Sequence, residues 1–134
     1  MKLKNILLAK IIITTLFWAA PLLFAPPDLF ILLGIPVPHP ILFIRLLGAA
    51  YFSLIFVYVY GYRLLKSKRN PLSAELSVST GIVSNGLAFI VLFYLGISGS
   101  WAEWGLIGQI YMWSTVVLTF LLTAGLYFGF KFNK

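Results

Sequence analysis

The sequence predicts an all-α fold: a four-helix transmembrane bundle with N and C termini cytoplasmic and a short interfacial helix in the first outer loop. Three observations lead there. Of 134 residues, 61% are hydrophobic and 10% charged, against roughly half and a quarter in soluble domains. Four apolar stretches, at about 5–24, 41–62, 78–98 and 106–130, reach the roughly 20 residues that a helix needs to cross a hydrocarbon core. The breaks between them carry Pro26, Pro27, Pro36, Pro38 and Pro40, then Asn70 and Pro71, then Gly99 and Ser100, which are helix breakers or turn formers. Ten-residue alternation, as a membrane barrel would need, is missing. The chain reads as one integral membrane domain, 1–134, too short for a second domain.

The first stretch opens MKLKNILLAKIIITTLFWAAPLLFA, which has the lysines, apolar run and small residues of a secretory signal. Its apolar run reaches Phe24 and is long enough to span, so an uncleaved helix is expected. Lys10, near its inner end, is expected to snorkel to the cytoplasm. The connection APPDLFILLGIPVPHP is too apolar for an aqueous loop and too short between its prolines to span. Asp28 followed by LFILLG predicts a short helix lying in the outer interface, closed by Gly34. The second stretch carries Arg45, about 6 Å below Ile41 at the helical rise. The run RLLKSKR from Arg63 to Arg69 follows, a topology signal that attracts anionic lipid. The third holds Ser84 and Asn85, and the fourth holds Thr115, Thr119 and Thr123 at four-residue spacing.

Lysine and arginine in short flanks mark the cytoplasmic side. Lys2, Lys4, Lys10, Arg63, Lys66, Lys68, Arg69, Lys131 and Lys134 all fall on one side of a four-span chain, and only Arg45 of the 10 cations falls on the other. That bias argues against dual insertion. The net charge of +7 is therefore a topology signal, and nucleic-acid binding is not inferred from it. Small-residue stripes, Gly48, Ala49 and Ser53, then Ser77, Gly81 and Ser84, then Gly105 and Gly108 with the threonines, are expected to be helix contacts. A substrate path along the threonines is the sharper alternative. Trp18, Trp101 and Trp104 fit an outer aromatic belt, and Tyr58, Tyr60 and Tyr62 an inner one, whereas Trp113 fits a pocket wall or packing better.

Candidate ligand-binding residues converge on the outer face: Arg45, Asp28, His39, Glu103 and Gln109, with Trp101 and Trp104 beside them. Polar groups next to aromatics and an apolar interior are the usual make-up of a small-molecule site. Arg45 admits three readings: snorkelling to phosphates, an ion pair with Asp28 or Glu103, or a cation that binds an anionic ligand. Asn85, with Ser84, is an intramembrane polar contact, read first as a hydrogen bond to a neighbouring helix. Catalytic residues are not assigned. There is no cysteine, one histidine and three acids, too few for a metal site without every outer group at once. GISGS, Gly96 to Ser100, misses the nucleophile-elbow pattern. No metal or cofactor is expected.

The stretch ILFIRLLGAAYFSLIFVYVYGY, Ile41 to Tyr62, resembles the second helix of small four-helix bacterial membrane proteins of the BphX-like and DoxX-like kind. The resemblance implies a four-helix bundle of accessory role and carries over no binding residues. The favoured expectation is a non-catalytic bundle that binds a lipid or hydrophobic ligand, or assists a larger membrane complex. The alternative is an oligomeric small transporter or channel, and a further one an intramembrane enzyme acting on a lipid or isoprenoid through His39, Asp28 or Glu103. Expected partners are membrane lipids, a homo-oligomer or a larger complex, in a bacterial cytoplasmic membrane.

Overall fold

In the computed structural model, which describes residues 2–37, 41–67 and 74–132, four helices are long and apolar enough to cross a membrane. They are α1 (Leu3–Phe24), α3 (Leu42–Lys66), α4 (Glu75–Ile97) and α5 (Leu106–Lys131). The short helix α2, Pro27–Leu32, lies between α1 and α3. Among the described residues there is no strand. Helix α3 runs on to Lys66, and α4 starts at Glu75, each about a turn beyond the apolar stretch in the sequence. The polar flanks continue those helices.

The packing is inverted relative to a water-soluble bundle. Large apolar side chains such as Leu16, Phe43, Phe56, Ile90 and Val117 point outward, while Lys10, Thr14, Ser77, Asn85, Thr115 and Thr119 are buried. Lipid is as apolar as leucine, so close backbone approach and internal polar contacts hold such helices together. The core gathers Leu3, Ile6 and Leu7 of α1, Tyr58 of α3, Val78 of α4 and Leu126 of α5. Ile6 and Leu3 sit over Gly129, so the start of α1 and the end of α5 share one end of the bundle. This is the basic end, where Arg63 and Lys66 also close α3.

Helix α1 is not uniform. It is α-helical through Ile13, widens to a π-helical turn over Thr14–Ala19, and returns to α geometry over Ala20–Phe24. The Ala20 amide donates to Thr15, five residues back. Pro21 is the local cause: it has no N–H to give the Phe17 carbonyl four residues earlier, and the Tyr111 hydroxyl on α5 donates to that carbonyl instead, at 2.6 Å.

At the proline-rich end, α2 closes in a Schellman motif: Gly34 at φ +69°, with the Ile35 amide on Phe30 and the Gly34 amide on Ile31. The Gly34 carbonyl then accepts the Gly105 amide at 3.0 Å, tying the α2 segment to the start of α5. Gly48 brings α3 against the end of α1: a Cβ there would lie 2.8 Å from the Leu23 nitrogen and 2.9 Å from the Leu22 carbonyl carbon. Gly48→Val should therefore force the two helices apart and cost about 1–3 kcal/mol, read from equilibrium unfolding of the detergent-solubilised protein.

Candidate functional site

The residues expected at the proline-rich end do not share one set of contacts. Arg45 spends its guanidinium on backbone: it donates to the Leu22 carbonyl at 3.0 Å and to the Ala25 carbonyl at 2.6 Å. The reason lies in the sequence. Pro26 has no N–H to offer Leu22, so the last turn of α1 ends with an unserved carbonyl. A cation there also meets the negative end of the helix dipole. Neither Asp28 nor Glu103 pairs with Arg45, and both are exposed. Gln109 donates from Nε2 to the Ala102 and Trp104 carbonyls, both at 2.9 Å, which fixes the turn before α5. Trp101 is buried under Gly96, edge-on to Trp113 and beside Trp104, its indole N–H without a partner. His39 lies outside the described residues.

The threonine stripe does not present its hydroxyls as a polar lining. Thr115, Thr119 and Thr123 donate to carbonyls of Tyr111, Thr115 and Thr119, four residues back in their own helix.

A different group of polar side chains converges inside the bundle. Lys10 is 2% exposed and does not snorkel. Its Nζ donates to Asn85 Oδ1 at 2.8 Å, close to the midpoint of α4. The same ammonium lies 4.5 Å from the ring centre of Tyr58 and 5.9 Å from that of Trp18. Its stem passes Gly81, where a Cβ would meet Leu126 and lie 3.5 Å from Lys10 Cε. The bare glycine thus makes room for Leu126 of α5, with the lysine stem in ordinary contact beside it. Tyr58, which an inner belt would have placed at the lipid surface, is fully buried, and its hydroxyl shares a 3.0 Å hydrogen bond with Ser84. Trp18 is likewise interior, stacked 5.7 Å from Tyr51.

The electrostatics of this group are one-sided. The chain's three carboxylates, Asp28, Glu75 and Glu103, are all exposed, and none contacts Lys10. Two ring faces and one amide oxygen are what the ammonium has. Ring faces contribute about 2 kcal/mol when desolvated, and a buried cation without a counter-charge is costly. On the same residues or the same helix, three further polar atoms are buried without a partner: Thr14 Oγ1, Asn85 Nδ2 and Trp18 Nε1. Thr14 lies one turn beyond Lys10 on the same face of α1. Its hydroxyl differs from that of Thr15, which bonds the Ile11 carbonyl in the ordinary way.

Beside this group is a crevice of about 140 Å³ that reaches all four long helices, walled by Trp18 and Leu22, Leu47 and Tyr51, Leu92, and Tyr111 with Met112 and Thr115. One of its walls, Trp18, has its ring centre 5.9 Å from the Lys10 ammonium, while Lys10, Thr14 and Asn85 are not among the walls. A larger, shallow groove of about 670 Å³ runs along α5 past Gln109, Trp113 and Ser114, open to the outside. Among the described residues no cluster of histidine, aspartate and glutamate could hold a metal.

Sequence reasoning passed over Lys10 and Thr14 as site residues. The available signal was their spacing with Trp18, which places a cation, a hydroxyl and an indole on one stripe of a spanning helix. No protein-family model, curated protein or solved structure matches the chain.

Two outcomes test these contacts. Arg45→Leu should leave the Leu22 and Ala25 carbonyls unpartnered and cost about 1–3 kcal/mol in unfolding experiments. For the buried pair, Asn85→Leu alone strands the Lys10 ammonium and should destabilise by about 1.5–3 kcal/mol. The double variant Lys10→Met with Asn85→Leu should recover most of that loss, because an apolar pair of similar size replaces a polar one without stranding either partner.

Proposed function

We propose that this protein is a non-catalytic membrane bundle that binds a hydrophobic ligand between its helices. The observation that carries the reading is the crevice of about 140 Å³: a site walled almost wholly by aromatic and aliphatic side chains, between helices whose outward faces suit lipid. Catalysis has little to work with, since the interior offers one lysine, amides and hydroxyls but no carboxylate, and Asp28 and Glu103 stay exposed.

In this reading the basic end faces the cytoplasm, so both termini are cytoplasmic, and α2 lies in the outer interface of a bacterial cytoplasmic membrane. The charge bias supports this orientation. Arg45 and Gln109 then serve the outer loops, and the ligand is met inside the bundle. Kinship with the BphX-like and DoxX-like proteins, resting on Ile41 to Tyr62, belongs to the same proposal. A second reading, an oligomeric transporter, is favoured by one observation: Lys10 sits deep in a spanning helix, where ionisable side chains mark substrate or ion pathways.

Native mass spectrometry of the protein in mild detergent tests the two readings together. A monomer that retains one hydrophobic molecule is expected, and Leu92→Trp, which fills the crevice, should lower that occupancy severalfold. A stable, ligand-free oligomer would overturn the binding reading in favour of the transporter. Orientation is tested separately in this cysteine-free chain. A maleimide that cannot cross the membrane should label Glu103→Cys but not Lys66→Cys in intact cells.

A further inference from the structure

The Lys10 group has more donors than acceptors. Its ammonium carries three N–H groups and gives one to Asn85 Oδ1. The Asn85 amide nitrogen, the Trp18 indole and the Thr14 hydroxyl are buried with no partner at all. Each of these can donate, and the first two can only donate. Asn85, Trp18 and Thr14 are each at most 3% exposed, so bulk water does not serve them. A buried cation bonded to the Asn85 amide, with unspent donors on Thr14 and Trp18 of the same helix and no acidic side chain beside it, is the complement of an anionic group with several oxygen lone pairs.

We propose that Lys10, Thr14, Asn85 and Trp18 bind the carboxylate of a single-chain amphiphile, and that its apolar tail lies in the crevice walled by Trp18, Tyr51 and Tyr111. This rests on the ligand-binding reading above and adds the headgroup to it. Size and shape choose the class. The crevice, about 140 Å³, suits part of one acyl chain and not the glycerol and two chains of a phospholipid. A carboxylate is compact, accepts from several donors at once, and supplies the single negative charge that the ammonium lacks. Trp18 stands between the two parts: its ring faces Lys10 at 5.9 Å and walls the crevice. Lys10, Thr14 and Asn85 do not line the crevice, so in this proposal the Trp18 side chain shifts to admit the headgroup.

The test is equilibrium binding of oleate, oleyl alcohol and acetate to the full chain in mild detergent. Oleate and the alcohol share a tail and differ in charge, while acetate is the carboxylate without a tail. Wild-type protein should bind oleate about tenfold or more tightly than the alcohol. Lys10→Met should remove that preference and leave alcohol binding unchanged. Acetate that competes with oleate only at far higher concentration supports an amphiphile, whereas acetate binding as tightly as oleate overturns it in favour of a free carboxylate. Equal binding of oleate and alcohol, unchanged in Lys10→Met, overturns the headgroup site but leaves the hydrophobic-ligand reading standing. Binding of neither overturns both. Should Lys10→Met fail to assemble, Thr14→Val keeps the side-chain shape and removes one donor. A severalfold loss of oleate with unchanged alcohol supports the site, and no change overturns it.

Discussion

Hydrogen bonds that proline withholds shape this bundle. In an apolar solvent a backbone carbonyl without a donor costs several kcal/mol, so each must be served from within the protein. Pro21 and Pro26 each deprive the carbonyl four residues earlier. The structure answers with a side chain from another helix in both places: Tyr111 reaches Phe17, and Arg45 reaches Leu22. These two bonds tie α5 and α3 to the upper half of α1. Gly48 is small for the same reason, since Arg45, one turn away, must come close enough to the end of α1 to donate.

The polar interior follows a second rule, that small and polar residues face inward when the surroundings are apolar. Asn85 accepts a hydrogen bond from Lys10, and Tyr58 lends a ring face while Ser84 serves its hydroxyl. These contacts join three helices at one level. The lysine thus acts as a structural junction, and the donors left over around it are what make the place interesting chemically.

How much of this the sequence disclosed depends on whether a residue's role is set locally. Four spanning-length helices were legible because apolar length alone decides them, and the turn at Gly34 because a left-handed residue closing a short helix is a local pattern. Arg45 was legible as exceptional, but its partners were not. They depend on where α3 crosses α1. The signal existed, however, in Pro26 standing four residues after Leu22, which marks a carbonyl in need. Lys10 was harder. A lysine two turns into a span can reach the surface or the interior, and the choice was made by Asn85, seventy-five positions away, facing it across the bundle. Trp18, Trp101 and Tyr58, all buried, were misplaced for a related reason: a belt assigns aromatics by depth and ignores which way the chain turns them. The widened turn of α1 has no sequence signature beyond Pro21.

That widened turn separates two stretches of α1 that carry different polar bonds. Below Thr14 it sends the Lys10 bond to α4, and above Ala19 it receives Arg45 of α3 at Leu22 and Ala25, while both stretches pack along α3. A regular α-helix advances about 100° per residue, and a π turn holds one residue more than its α equivalent. The extra residue acts as a phase adjuster between two halves that each keep a fixed register. Loss of one residue from 14–19 would turn the side chains on one side of it by about 100° against those on the other, taking Lys10 from Asn85 or Leu22 from Arg45.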